Sequence, residues 1–167
     1  MLTAQRVIAA LQLVPLPLEG GYYRETYRSA DQLVAAALPA HYGRDKAAGT
    51  AIYYLLTPDT FSALHRLPTD EIFHFYAGSP VRMLQLLPNR EGQQVLLGSD
   101  VLTGQRPQVV VPRGVWQGSL LEPGGAFALL GTTMAPGFDF DDYEAGDRAA
   151  LTAQYPQFGE LIRRLTR

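Results

Sequence analysis

One stretch decides the fold: LHRLPTDEIFHFYAG, Leu64 to Gly78. Two of the chain's three histidines, an adjacent acid pair and three aromatics fall within its fifteen positions, which end at a glycine. Pro68-Thr69-Asp70 is turn chemistry, so the apolar residues on either side read as two short strands. The titratable groups then have three readings: a metal site, a metal-free acid–base site, or plain strand packing. Outward from here the pattern repeats. From Thr50 onward TAIYYLL, FSALHRL, EIFHFYA, VRMLQLL, QQVLLG, QVVVP, VWQGSLL and FALLGTTM are each bounded by Pro, Gly, Asn or Asp. Eight brief strands in about 85 residues, joined by turns such as LPNREGQQ and EPGGA, predict an antiparallel sandwich or barrel.

The flanks differ in character. TAQRVIAALQLV (3–14) has apolar residues at Val7, Ile8, Leu11 and Val14, a helical spacing, with Thr3 as its cap and Pro15 and Pro17 as its end. EGGYYRETYRS (19–29) reads as a tyrosine-rich strand, and residues 30–49 as a loop with at most a short helical turn. After the last strand APGFDFDDYEAGD is acidic and turn-rich. DRAALTAQYPQFGELIRRL then predicts one or two short helices, with Asp147 as a cap and Pro156 in a first turn. Neither a repeat nor a linker marks a second domain, so residues 1–167 are expected to form one.

Composition narrows the function. With 167 residues the chain can bury roughly 70% of its unfolded surface and needs neither metal nor disulfide to hold together. Net charge is −2 and no dense basic block occurs, which argues against a nucleic-acid partner. There is no cysteine, so thiolate nucleophiles, disulfides and Cys-ligated metals are excluded. No apolar run approaches the roughly 20 residues of a membrane span, and residues 1–14 do not read as a signal peptide. The expectation is a cytoplasmic protein without a membrane partner.

A histidine, a glutamate and a glycine at these distances in an all-β chain resemble the first motif of the cupins, G-x5-H-x-H-x3–4-E-x6-G. His65, Glu71 and Gly78 match it. PRGVWQ resembles the second motif, with Pro112 and Gly114 in place and Gln117 where that motif has a histidine. The segments LEGGYYRETYRS, HRLPTDEIFHFYAG, VVVPRGVWQ and APGFDFDDYE are similar, in order, to the small cupins of the DUF985, or Cupin_5, group. The resemblance implies a double-stranded β-helix, or jelly-roll, barrel with a short N-terminal helix and one or two short C-terminal ones.

The departures bear on mechanism. Leu67 stands at the second histidine position and Gln117 at the last, so His65, Glu71 and Gln117 remain of a four-ligand set. One imidazole, one carboxylate and an amide hold a divalent metal weakly. The expectation is no cofactor, with a weakly bound metal on those three residues as the alternative. Strand alternation places Glu71, Phe73 and Phe75 on one face and Ile72, His74 and Tyr76 on the other, so His74 is expected to point outward. The chain also resembles the cupins that epimerise dTDP-4-keto-6-deoxy-sugars without a metal, using a histidine at this position as base. Their G-x-F-x-E strand is similar to Gly21-Tyr22-Tyr23-Arg24-Glu25, where alternation groups Tyr23, Glu25 and Tyr27 opposite Tyr22, Arg24 and Arg28.

These observations give a site with His65 and Glu71 as catalytic candidates and Tyr23, Glu25, Phe73 and Gln117 as ligand contacts. Glu71 or an acid of FDFDDYE would orient His65, and Gln117, Arg24 or a tyrosine would donate to an oxyanion. The FDFDDYE run itself reads as a solvated turn, or as a cover for the barrel mouth. The expected function is binding of a small polar molecule, sugar-like or a keto acid, with isomerisation or epimerisation by His65. The alternatives are a binding or sensing protein without chemistry and a weakly metallated enzyme. Open strand edges predict a two-fold homodimer through the 21–28 strand.

Overall fold

The computed structural model describes residues 2–167. Helix α1 (Ala4–Leu11) starts at Thr3, whose Oγ1 accepts from the Arg6 amide at 3.3 Å. It stops earlier than Pro15 suggests, because Gln12 takes a left-handed φ of 55° and turns the chain. Val14–Pro15 thereby become a short strand, β1, that pairs with β2 (Tyr22–Arg28). Residues 30–49 hold more than a loop. Two 3-10 turns lie between β3 (Gln32–Leu33) and β4 (Lys46–Ala47), which pair with each other.

The eight strands expected from Thr50 onward all form. They are β5 (Thr50–Leu56), β6 (Phe61–Arg66), β7 (Glu71–Gly78), β8 (Val81–Leu86), β9 (Gly92–Leu97), β10 (Gln108–Val111), β11 (Trp116–Leu121) and β12 (Ala128–Met134). A two-residue strand, β13 (Glu144–Ala145), follows. Helices α2 (Arg148–Gln154) and α3 (Gly159–Arg164) close the chain, with Asp147 capping α2 through the Ala150 amide at 2.8 Å. Pro156 opens the 3-10 turn between them.

The strands form two antiparallel sheets, ordered β1-β2-β5-β12-β7-β10 and β13-β6-β11-β8-β9. Between them lies a core that includes Tyr54, Leu56, Phe73, Met83, Leu97, Leu121 and Leu130, each almost wholly buried. Alternation supplies it: every second residue of each strand faces inward. Helix α1 covers the outside of the first sheet with Ala4 and Val7 against Leu55 and Phe127. Leu151, Tyr155 and Ile162 of the C-terminal helices cover the outside of the second sheet over Leu84, Leu86 and Leu120. Gly78 ends β7 at φ +101°, where a Cβ would lie 2.3 Å from the Phe127 carbonyl oxygen, so the motif glycine is required sterically. The two sheets make a jelly-roll barrel, and one of its ends carries the polar residues.

Candidate functional site

Adjacent strand ends bring together residues far apart in sequence. His65 sits at the end of β6 and Gln117 at the start of β11, as direct cross-strand partners. Glu71 begins β7, opposite Met134 of β12. His65, Glu71 and Gln117 are 1%, 7% and 2% exposed, so all three are withdrawn from water. The Gln117 amide donates to Glu71 Oε2 at 2.5 Å. His65 Nδ1 lies 2.8 Å from the Ala63 carbonyl oxygen. A carbonyl only accepts, so Nδ1 carries the proton and Nε2 of the neutral ring is bare. The His65 ring stacks on Tyr143, with centroids 4.8 Å apart.

Nε2 faces a residue the sequence reading missed, Glu19, at 4.0 Å from Oε2. Its other carboxylate oxygen accepts from Ser62 Oγ at 2.6 Å. Glu19 reaches this position through the Pro17–Gly21 turn, which has left-handed φ angles at Leu18, Gly20 and Gly21. At Gly20 a Cβ would lie 2.5 Å from the Phe61 carbonyl oxygen. Only a glycine lets the turn come that close to β6. The one sequence signal was an acid placed directly before Gly-Gly, a turn that had to fold somewhere.

Burial, reinforced by the Glu19 charge, raises the Glu71 carboxyl to about 6, against the opposing influence of His65, Thr132 and Gln117. Burial likewise raises the hydroxyls of Tyr54 and Tyr143, with Glu19 adding to both. Tyr54 donates to the Gly20 carbonyl at 2.9 Å and so braces the turn that carries Glu19.

Glu19, Glu71 and Tyr143 line a cavity of about 60 Å³ at the barrel mouth, whereas His65 does not line it and stands behind Glu19 and Tyr143. Glu19, Tyr23, Glu25, Arg28 and Glu71 supply its polar wall, and Leu67, Phe138, Phe140 and Tyr143 much of the rest. Gln117 stands behind Glu71 rather than at the surface of the cavity. Phe73 requires a correction: it shares a face with Glu71 but lies one pleat deeper, roughly 6.6 Å along the strand. It is 1% exposed, belongs to the core between the sheets and does not line the cavity.

Alternation also fails along β2, where a bulge between Glu25 and Tyr27 leaves Thr26 without a partner in β5. The parity flips there. Tyr27 turns outward and is 56% exposed, while Arg28 joins Tyr23 and Glu25 at the cavity. Arg28 forks onto Glu25 at 3.0 and 2.7 Å and donates to the Phe138 carbonyl at 2.9 Å. Arg24 reaches the other way, to Gln12 Oε1 at 3.4 Å. Along β7 alternation holds from Glu71 to Phe75, before a bulge at Tyr76: His74 bonds Thr133 Oγ1 at 3.0 Å, away from Glu71.

The acidic segment is not a solvated turn. It folds over the mouth, and its acids are held by cations from elsewhere. Buried Lys46 donates to Asp139 at 2.8 Å and to Asp142, while Arg44 pairs with Asp141. Arg66 forks onto Glu144 with both distances 2.7 Å and lies over the Trp116 ring. None of these acids orients His65. The segment's contribution to the site is aromatic instead. Outside this cover a wider groove of about 510 Å³, lined by Arg113, His41, Arg44 and Arg66 among others, shares Leu67 with the cavity.

A jelly-roll barrel with its buried polar residues at one mouth is the architecture of a cupin. The chain belongs to the Cupin superfamily family DUF985, whose sequence profile matches residues 5–146. It is 36% identical to protein SO0799 from Shewanella oneidensis, over 100% of this chain and 99% of that one, with a TM-score of 0.86. A hypothetical protein from Leishmania major is 36% identical over 99% of both chains, with a TM-score of 0.88. The uncharacterized protein YML079W of Saccharomyces cerevisiae is 31% identical over 134 residues, 75% of this chain; the chain spans 66% of that protein's length. Oxalate decarboxylase from Bacillus subtilis shares the fold at 14% identity and a TM-score of 0.53, over 93% of this chain and 38% of that one.

The manganese centres named for that decarboxylase raise the question of a metal here. Among the described residues no group of three or more His, Asp or Glu is placed to hold one. Gln117 directs its amide hydrogens at Glu71, which occupies an oxygen a metal would need, and Leu67 puts hydrocarbon beside it. The donor set does not fit a resident metal, and no step below runs through one. Nor, among the described residues, is any helix long and apolar enough to cross a membrane.

Proposed function

We propose that the mouth cavity binds a small polar molecule and that His65 moves a proton on it by way of Glu19, with Glu71 as the second acid. One observation carries this reading: an imidazole with Nδ1 tied to a carbonyl and Nε2 4.0 Å from Glu19, whose side chain lines a cavity together with a carboxyl shifted to about 6. A buried imidazole next to buried carboxyls, one of them raised to about 6, is the equipment of general acid–base catalysis. Isomerisation or epimerisation next to a carbonyl is the reaction class this equipment serves.

Size limits the substrate. At about 60 Å³ the cavity is about twice the share of one water in the liquid, which suits a ligand of a few heavy atoms. A sugar carrying a nucleotide would require residues 138–143 to swing away. The test is exchange of solvent deuterium into two- and three-carbon hydroxycarbonyl compounds, followed by NMR. His65→Asn should abolish exchange while leaving ligand-induced thermal shifts in place; exchange that survives the substitution removes His65 as base.

The closed cover favours one second reading, reversible binding without chemistry. Thermal shifts with no exchange by the unaltered protein would support it. A two-fold dimer is part of the proposal. Pairing with β1 stops at Tyr23, so Arg24–Arg28 present an open strand edge with Tyr27 exposed beside it. A monomer mass at micromolar concentration by light scattering would exclude the dimer.

A further inference from the structure

Charge and wall chemistry define the ligand more narrowly than size does. Three carboxylates, Glu19, Glu25 and Glu71, line the cavity, against a single guanidinium, that of Arg28. Arg28 is already committed: both of its forked bonds go to Glu25 and a third contact goes to the Phe138 carbonyl. With that pair closed, no cation among the lining residues is left for Glu19 and Glu71; His65, 4.0 Å from Glu19, and Arg167, beside Gly20, stand outside the lining. With its three carboxylates ionised the lining carries two negative charges more than its one guanidinium offsets.

Its remaining walls are suited to a cation. Tyr23, Phe138, Phe140 and Tyr143 line the same space. Tyr23 meets Phe140 edge to face at 6.4 Å, and Phe138 meets Phe140 in the same way at 5.3 Å. Four aromatic rings thus line this small volume, and a ring face attracts an ammonium group. A carboxylate ligand would meet two uncompensated carboxylates and no free guanidinium.

We propose that the cavity selects a small organic ammonium compound, a primary amine of up to about five heavy atoms, held between Glu19 and Glu71 and the aromatic wall. This deepens the function proposed above and rests on the same cavity. A bound ammonium offsets one of these charges and would oppose the Glu19 repulsion that adds to burial in raising the Glu71 carboxyl.

Three two-carbon probes of matched size separate the possibilities: ethanolamine, ethylene glycol and glycolate. Each is titrated calorimetrically into the unaltered protein at about pH 8, about two units above the Glu71 carboxyl. Ethanolamine should bind at least about tenfold more tightly than ethylene glycol, and glycolate more weakly than either. Glu19→Gln should reduce the preference for the amine over the glycol, and the probe series on the unaltered protein decides the matter if that variant fails to fold. Equal affinities, or glycolate binding best, would overturn the ammonium assignment while leaving a ligand cavity in place. Failure of all three to bind would overturn both it and the cavity as a ligand site. Amine binding without any deuterium exchange would uphold the assignment and remove the proposed chemistry.

Discussion

The two ends of one barrel are built from the same strands and do different work. At the mouth, β6, β7 and β11 present His65, Glu71 and Gln117; deeper in the barrel β7 presents Phe73 and β11 presents Leu121. The deeper layer is hydrocarbon meeting hydrocarbon, and burial there stabilises by about 1.5–3 kcal/mol per large side chain. The mouth layer is equally dry but polar, so each group must find a partner or shift its titration. Stability is concentrated in the first region and chemistry in the second. A stretch of two residues along β7 separates them.

Substitutions can break this contrast. The largest effect is expected in the floor: Phe73→Ala should cost about 4 kcal/mol in urea unfolding, while the affinity of a cavity ligand stays unchanged. A loss of affinity at retained stability would show that Phe73 belongs to the site after all. Next comes the cover. Lys46→Met leaves Asp142, whose side chain is 5% exposed, without its ammonium partner and should cost about 3 kcal/mol. Amide hydrogens of 138–143 should then exchange faster; unchanged protection would show that the cover does not depend on Lys46.

The smallest change has the opposite sign. The Glu71 carboxyl is raised from 4.5 to about 6, so the folded state binds more protons than the unfolded state between those values. Stability contributed by this group therefore falls as pH rises through that window, leaving a penalty of about 2 kcal/mol above pH 6 and none below about 4.5. Glu71→Gln should be more stable than the unaltered protein by up to about 2 kcal/mol at about pH 8, and no more stable at about pH 4. A gain independent of pH would mean that the raised carboxyl is not the cause.

The elements were legible where local chemistry is decisive. Short apolar runs bounded by turn residues marked all eight strands from Thr50, and Thr3 and Asp147 marked their helices. Motif spacing placed His65, Glu71 and Gln117 near one another. Three things were not legible. The bulge at Thr26 reverses the face of every later residue in β2, and nothing in ETYR announces it. Glu19 stands on a turn, and a turn has no periodicity from which a direction can be read. The acids of FDFDDYE looked solvated because their partners Lys46, Arg44 and Arg66 come from segments roughly 75 to 100 positions away along the chain.

By itself the sequence determined which segments are strands, that Glu71 and Phe73 share one face of β7 opposite His74, and that a histidine ends and a glutamate begins two consecutive strands with cupin spacing. Those properties depend on contacts within a few residues, where alternation, turn residues and caps act directly. Only the tertiary structure decided that Glu19 faces His65, that Phe73 lies below the cavity and that an acidic segment closes it with aromatic rings. Each of these depends on how two sheets and a cover pack at long range, where a single bulge or a left-handed turn redirects a side chain.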